Sequence, residues 1–305
     1  MTQPFHARDI PGKGRYYGPC QDGCPLPSDP LLLSVTNAQS VIAKPALVPA
    51  AAKATAAAAW DQLPRMVATS RQPETGACAK LRVAERCGRC RFCITAQIKA
   101  AHKNEWEAKA ELGTRVHIHA HAHVTGRPLP FDEEVAPFLN QYLAFLHAWR
   151  VDLDRHVEAA ELTVYNTAKG FAGTGDIWLH LPIDTHGRFT AWNRRKLVLV
   201  DIKSSLTKPA GTVYQDQVLQ LAGLRYATHA LLPDDTALDV PKFTAAALLN
   251  LRTTAHALIP LPADRSAYKA FLGAVELQRY FHGLDTKAWT AVDADPAPEP
   301  EKDVA

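Results

Sequence analysis

Lys196-Leu197-Val198-Leu199-Val200-Asp201-Ile202-Lys203-Ser204-Ser205 is an apolar, β-branched run that ends in Asp-x-Lys. Such a run predicts a strand. Side chains two apart on a strand share a face, so Asp201 and Lys203 project together while Ile202 points into the core. About a hairpin's length upstream lies Gly170-Phe171-Ala172-Gly173-Thr174-Gly175-Asp176-Ile177-Trp178-Leu179. Asp176 closes that segment after three glycines, where backbone can bend or approach another group closely. Two carboxylates and one ammonium meeting at a sheet edge suit a hard divalent cation and a phosphate ester. The aspartates would ligate Mg2+ or Mn2+, and the lysine would orient or help activate the attacking water. The chemistry predicted is that of a metal-dependent nuclease. An isolated Asp-x-Lys is more often a solvated strand end, so the weight rests on the surrounding motifs.

Those motifs resemble a family. Gly173-x-x-Asp176, then Val198-Leu-Val-Asp-Ile-Lys-Ser204, then Gln217-Val-Leu-Gln220-Leu-Ala-Gly-Leu-Arg-Tyr226 on a helix are similar to the PD-(D/E)XK nuclease superfamily. The match is best to its RecB-like exonuclease branch, including the versions of actinobacterial phages. Gly113-Thr114-Arg115-Val116-His117 resembles that branch's Gly-Thr-x-x-His motif, and Glu161 sits where the family often has a glutamate. Ser34-Val35-Thr36, followed by Lys44-Pro45-Ala46-Leu47-Val48 and an alanine-rich helix, extends the resemblance over residues 34–282.

The resemblance implies an α/β (α+β) fold: a restriction-endonuclease-like core with a mixed central sheet flanked by helices. It implies that Asp176 and Asp201 hold Mg2+ or Mn2+, with His117 as an additional ligand. Lys203 would serve the nucleophilic water, Glu161 would reach a second ion or a water of the first, and Gln220 would lie beside the substrate. The activity implied is a DNA exonuclease in phage or mobile-element replication or recombination. Its partners would be DNA and a recombination or replication protein. A non-catalytic DNA-binding accessory protein on the same scaffold is the alternative. The chain departs from the family pattern at Ser204-Ser205, at Gly175, and at Leu224, where a tyrosine usually follows the helix glutamine. Gln217 or Gln215 could stand in for Gln220.

The 305 residues carry a net charge of only +3, too little for whole-molecule charge to argue for nucleic acid. The local distribution says more. Between Cys78 and Lys103 stand Lys80, Arg82, Arg86, Arg89, Arg91, Lys99 and Lys103 against the single acid Glu85. Arg86, Arg89, Arg91, Lys99 and Lys103 are therefore candidate phosphate contacts, with a solvated helix face as the plain alternative. No signal peptide or membrane span is apparent, which predicts a cytoplasmic protein without a membrane partner.

Six cysteines in a reducing compartment are not expected to form a disulfide framework. Cys87-Gly-Arg-Cys90-Arg-Phe-Cys93 sets three thiols within seven residues, a metal-knuckle spacing. Zn2+ is the preferred ion, with Cys78, or Cys20 or Cys24 folded back, as fourth ligand. An iron–sulfur cluster is the alternative; iron–sulfur nucleases of this family usually keep three cysteines after the core, and here all six precede it. The run His117-Ile-His119-Ala-His121-Ala-His123 reads as helix, and only His117 carries the family motif.

The expected organisation is an irregular lead over 1–33, a helical section with the cysteine knuckle over 34–157, a nuclease core over 158–285 and a disordered acidic tail over 286–305. Ser34 is expected to cap a helix and Pro45 to open the next. Helices are predicted at 94–124, 133–157, 213–228 and 265–282. Strands are predicted at 161–166, 171–181, 187–192, 196–203, 243–251 and 256–260. Trp178, Trp192 and Tyr214 are placed near the site as stacking surfaces for unpaired bases, or as core aromatics.

Overall fold

A computed structural model describes residues 5–292. In chain order it opens with β1 (Ala7–Ile10), β2 (Gly14–Tyr17) and β3 (Leu32–Ser34). Helices follow: α1 (Val35–Ala38), α2 (Leu47–Asp61), α3 (Leu63–Thr69), α4 (Arg91–Val124), α5 (Ala136–Ala148) and α6 (Leu153–His156). Then come β4 (Val157–Asn166), β5 (Phe171–Leu181), β6 (Lys196–Ser204), α7 (Gln215–Arg225), β7 (His229–Leu231) and β8 (Ala237–Asp239). β9 (Ala245–Leu251), β10 (His256–Leu261) and α8 (Arg265–Gly283) follow.

All these strands join one mixed sheet. Its centre is the antiparallel pair β5–β6, extended by β4 on one side and by β9, parallel to β6, on the other. Both faces of that centre are covered, which is why β6 reads as an unbroken apolar run. Val198, Val200 and Ile202 face α5 and the C-terminal part of α4, packing with Val116, Ala120, Phe138 and Phe145. Leu199 and Trp178 face the other way, with Leu221 and Leu224 of α7 and Phe271 of α8. Gly173 is needed here: a Cβ on it would come within 2.7 Å of Leu224 and 3.0 Å of Val35, so α7 and α1 seat directly on β5.

Several expectations need correcting. The lead is not irregular, because β1, β2 and β3 pair in series and β3 runs parallel to β5. The helix expected over 133–157 stops at Ala148, where Arg150 turns the chain with φ 49°, and β4 already begins at Val157. No strand forms at 187–192; a single bridge, Ile183 to Phe189, and a loop folded on the Asp184 carboxylate occupy that segment. The short strands β7 and β8 were not anticipated. Ser34 does cap α1, accepting from Asn37 N, but Pro45 lies two residues before α2. Of the acidic tail, Thr286–Ala288 forms a 3-10 turn, and residues 293–305 lie outside the described residues. No described helix is long and apolar enough to cross a membrane.

Candidate functional site

The centre of the sheet is forked. One edge of β5 is shared: Phe171 and Ala172 pair with β3, and Ile177 to Leu181 pair with β6. Residues 173–176 have no strand partner on that edge, because β6 has turned away to follow β9 as far as Ser204. The Asp176 carboxylate fills the fork, accepting the Ile202 amide at 2.6 Å in place of a ladder carbonyl. Asp201 is 1% exposed and sits just beyond the last β5–β6 pair. One of its oxygens pairs with Lys203 Nζ at 2.6 Å and the other accepts from Gln220 Nε2 of α7 at 3.0 Å. Asp201 and Lys203 thus share a face, with Ile202 buried on the other, as strand geometry requires.

The opposite wall comes from α4 and β4. His117 Nδ1 of α4 lies 3.4 Å from Asp176 Oδ1 and 3.9 Å from Glu161 Oε1 of β4. The three residues form a group whose ligand atoms lie within 4.8 Å of one another, close enough to hold one metal ion. Asp201 is outside that group; Glu161 takes the place the sequence reading assigned to it. A cleft continues inward past Ile202 to His121 Nδ1 and Tyr142 Oη, two buried polar atoms without a hydrogen-bond partner among the described residues. No protein-family model and no curated protein matches the chain.

Glu161 has φ 54°, a left-handed conformation inside a strand. A non-glycine residue pays for that geometry with strain, and such outliers cluster where a side chain must be aimed. Here the carboxylate is aimed at His117 and Asp176. Glu161→Gly is therefore expected to be more stable than Glu161→Ala by about 1 kcal/mol, since both lose the carboxylate and only glycine relieves the backbone. Urea denaturation of the two variants measures this, and equal stabilities would remove the strain argument.

Burial alone would neutralise His117, but Asp176, with Glu161 adding to it, outweighs burial and raises its pKa from 6.5 to about 9. For Glu161, burial and then the Asp176 charge raise the pKa from 4.5 to about 8. Burial opposes charge on Lys203 as well, yet the close Asp201 carboxylate holds its pKa above the ordinary value and keeps it an ammonium.

Glu161 and His117 both hold a proton more tightly in the folded chain than in the unfolded one. Their stabilisation is complete below the unfolded values, 4.5 and 6.5, and is lost as pH rises through about 8 and about 9. In chelator, the melting temperature is expected to fall across that window, and Glu161→Gln should flatten the part below pH 8. Parallel melting curves for the two proteins would contradict this.

Cys78, Cys87, Cys90 and Cys93 converge and could hold a metal ion such as zinc. Cys87 and Cys93 sulfurs are 3.9 Å apart and Cys90 and Cys93 sulfurs 3.4 Å. A tetrahedral zinc site with ordinary Zn–S bonds has sulfur edges of about 3.8 Å. Thiolates on the separate irons of a cluster would stand farther apart than these. Cys78, rather than Cys20 or Cys24, completes the set. Amides of Arg89 and Cys90 donate to Cys87 and lower its pKa to about 6.

The basic residues divide. Arg91 is committed to Ser70 O, Gln72 O and Glu74, and Arg86 lies over the Phe92 ring and donates to Leu81 O. Lys103 pairs with Glu107 at 3.6 Å, while Arg89 and Lys99 are exposed beside the knuckle. Of the aromatics, Trp178 is a core residue, 2% exposed. Trp192 lies between Phe189 and Arg150 at the far end of the β5–β6 hairpin, and only Tyr214, at the start of α7, is exposed near the fork.

Sequence reasoning missed Asn250 and Arg252. Asn250 donates to Ala210 O and Thr212 O, and Arg252 to Lys203 O, Lys208 O and Pro209 O, so together they clamp the loop between β6 and α7. No motif marks them; the only signal is a polar pair ending an apolar strand.

Proposed function

We propose that this chain is a metal-dependent DNA exonuclease of the RecB-like PD-(D/E)XK type, hydrolysing phosphodiester bonds on a restriction-endonuclease-like core. One observation carries the reading: the β5–β6 fork brings Asp176, Asp201 and Lys203 together with His117 from α4, Glu161 from β4 and Gln220 from α7. Two carboxylates and one imidazole suit Mn2+ and admit Mg2+. A divalent cation held by His117, Glu161 and Asp176 would supply Lewis acidity and lower the pKa of a bound water.

The protein's own groups do the rest. Lys203, charged and anchored by Asp201, offers N–H donors where negative charge grows in the transition state. Gln220 fixes the Asp201 carboxylate that anchors it. Arg89 and Lys99, exposed beside the knuckle, are the residues freest to meet backbone phosphates. Work on phage or mobile-element DNA, with a replication or recombination protein as partner, rests on the resemblance alone.

The accessory-protein reading is favoured by one observation, that both Asp201 oxygens are already engaged. End-labelled single- and double-stranded DNA incubated with Mg2+, Mn2+ or EDTA separates the two. Cation-dependent shortening from the ends is expected. Binding without cleavage by the folded, cation-supplied protein would overturn the nuclease assignment.

A further inference from the structure

A second group of side chains that could hold a metal ion lies where the N-terminal segment meets the β7–β8 turn. His6, Cys20, Cys24 and Asp235 place one donor atom each within 4.8 Å of one another. His6 Nδ1 is 3.3 Å from Cys20 Sγ and 3.8 Å from Cys24 Sγ, while His6 Nε2 is 2.9 Å from Asp235 Oδ1. Cys20 Sγ lies 3.8 Å from Asp235 Oδ2. The Nδ1–sulfur and sulfur–oxygen separations are close to the edges of about 3.3–3.8 Å around a tetrahedral ion, while the Nε2 contact with Asp235 orients the ring.

Three features suggest that the group is built rather than accidental. Asp235 Oδ1 lies 2.9 Å from His6 Nε2 and Gln21 holds the other oxygen at 2.7 Å, so carboxylate and imidazole are fixed beside the two thiols. A carboxylate paired with one ring nitrogen fixes the imidazole and leaves the other nitrogen to ligate, here Nδ1 facing the two sulfurs. Asp235 also sits at φ 65° in the turn between β7 and β8, where glycine would be free of strain. The Cys20 to Cys24 loop turns through Gly23 at φ 85°, folding the two thiols to the same side.

We infer that His6, Cys20, Cys24 and Asp235 form a second zinc site. Its role is mechanical. His6 precedes β1, the cysteines lie between β2 and β3, and Asp235 follows β7, on the far side of β5 and β4 in the sheet. The apolar contacts beneath are few: Ala7, Tyr17, Leu26, Leu32 and three sheet residues. An ion there would staple the lead segment across the sheet, as metals do where a small core cannot. The lead in turn reaches the fork, since Tyr17 Oη lies 3.0 Å from Thr174 Oγ1.

The test is zinc content of the full chain purified under reducing conditions, compared with Cys20→Ser/Cys24→Ser. The variant should hold one zinc fewer per chain than the wild type, whatever occupies the other cysteines. Asp235→Asn keeps the shape of the side chain and guards against simple misfolding. In competition with a chromophoric chelator its zinc should be released at least about tenfold more readily than that of wild type. Unchanged zinc content in the double cysteine variant, or wild-type Cys20 and Cys24 alkylated at the rate of free thiols in zinc-loaded protein, would overturn the site.

Discussion

Asp176→Asn is expected to lower DNA cleavage by about 10³-fold, and Lys203→Ala by a comparable factor, the scale of losing one charge-stabilising group at a reacting centre. The amide oxygen of the asparagine can still accept from Ile202 N, so the fork should stay closed while the negative charge facing His117 is gone. Lys203→Ala is harsher, because it strands Asp201, a carboxylate only 1% exposed, without its counter-ion. Removing one partner of a buried ion pair costs about 3–5 kcal/mol, so lost activity alone would be ambiguous. Asp201→Asn/Lys203→Met removes both charges at similar volume and should fold while remaining inactive. Turnover within tenfold of wild type in folded Asp176→Asn would falsify the assignment of this site.

The second large effect is at the cysteine knuckle. Chelation, or Cys90→Ser, is expected to unfold the segment from residue 70 to the first turns of α4, exposing it to protease while the sheet stays protected. The reason is the absence of any other core there. Leu81 and Val83 are 39% and 77% exposed, and only Cys93, Ile94 and Ile98 are buried at that end of α4. Binding of a structural zinc by such a knuckle contributes about 10–16 kcal/mol at neutral pH, far more than three buried side chains provide. Arg89 and Lys99 would then no longer be presented together, and DNA affinity should become weaker and less salt-dependent. A segment that stays protease-resistant in excess chelator would show that packing, not metal, holds it.

The central elements were legible because local and tertiary signals agree in them. β5 carries the bounds expected of it, and β6, α4, α7, β9, β10 and α8 lie within a few residues of theirs, α8 with Asp264 capping its first amides. What was hidden depends on long-range pairing. β1, β2 and β3 are three or four residues long and rich in neighbours that usually mean loop, so only the open edge of β5 makes them strands. The turn at Arg150 and the left-handed Glu161 are imposed by packing and leave no mark in composition. The group of His6 with Asp235 is illegible for the same reason, since its members meet only once the sheet has formed.

α4 is 34 residues long and continuous, with Cys93 in its first turn and His117 near its other end. By helical rise those two residues are about 36 Å apart along the axis. Laid beside a DNA duplex, that span is a yardstick of about ten base pairs. On the proposed function, the hand that grips the backbone and the blade that cuts it stand one full turn of the double helix apart. A short oligonucleotide can fill the blade while leaving the hand empty, so grip grows with substrate length long after the scissile end is seated.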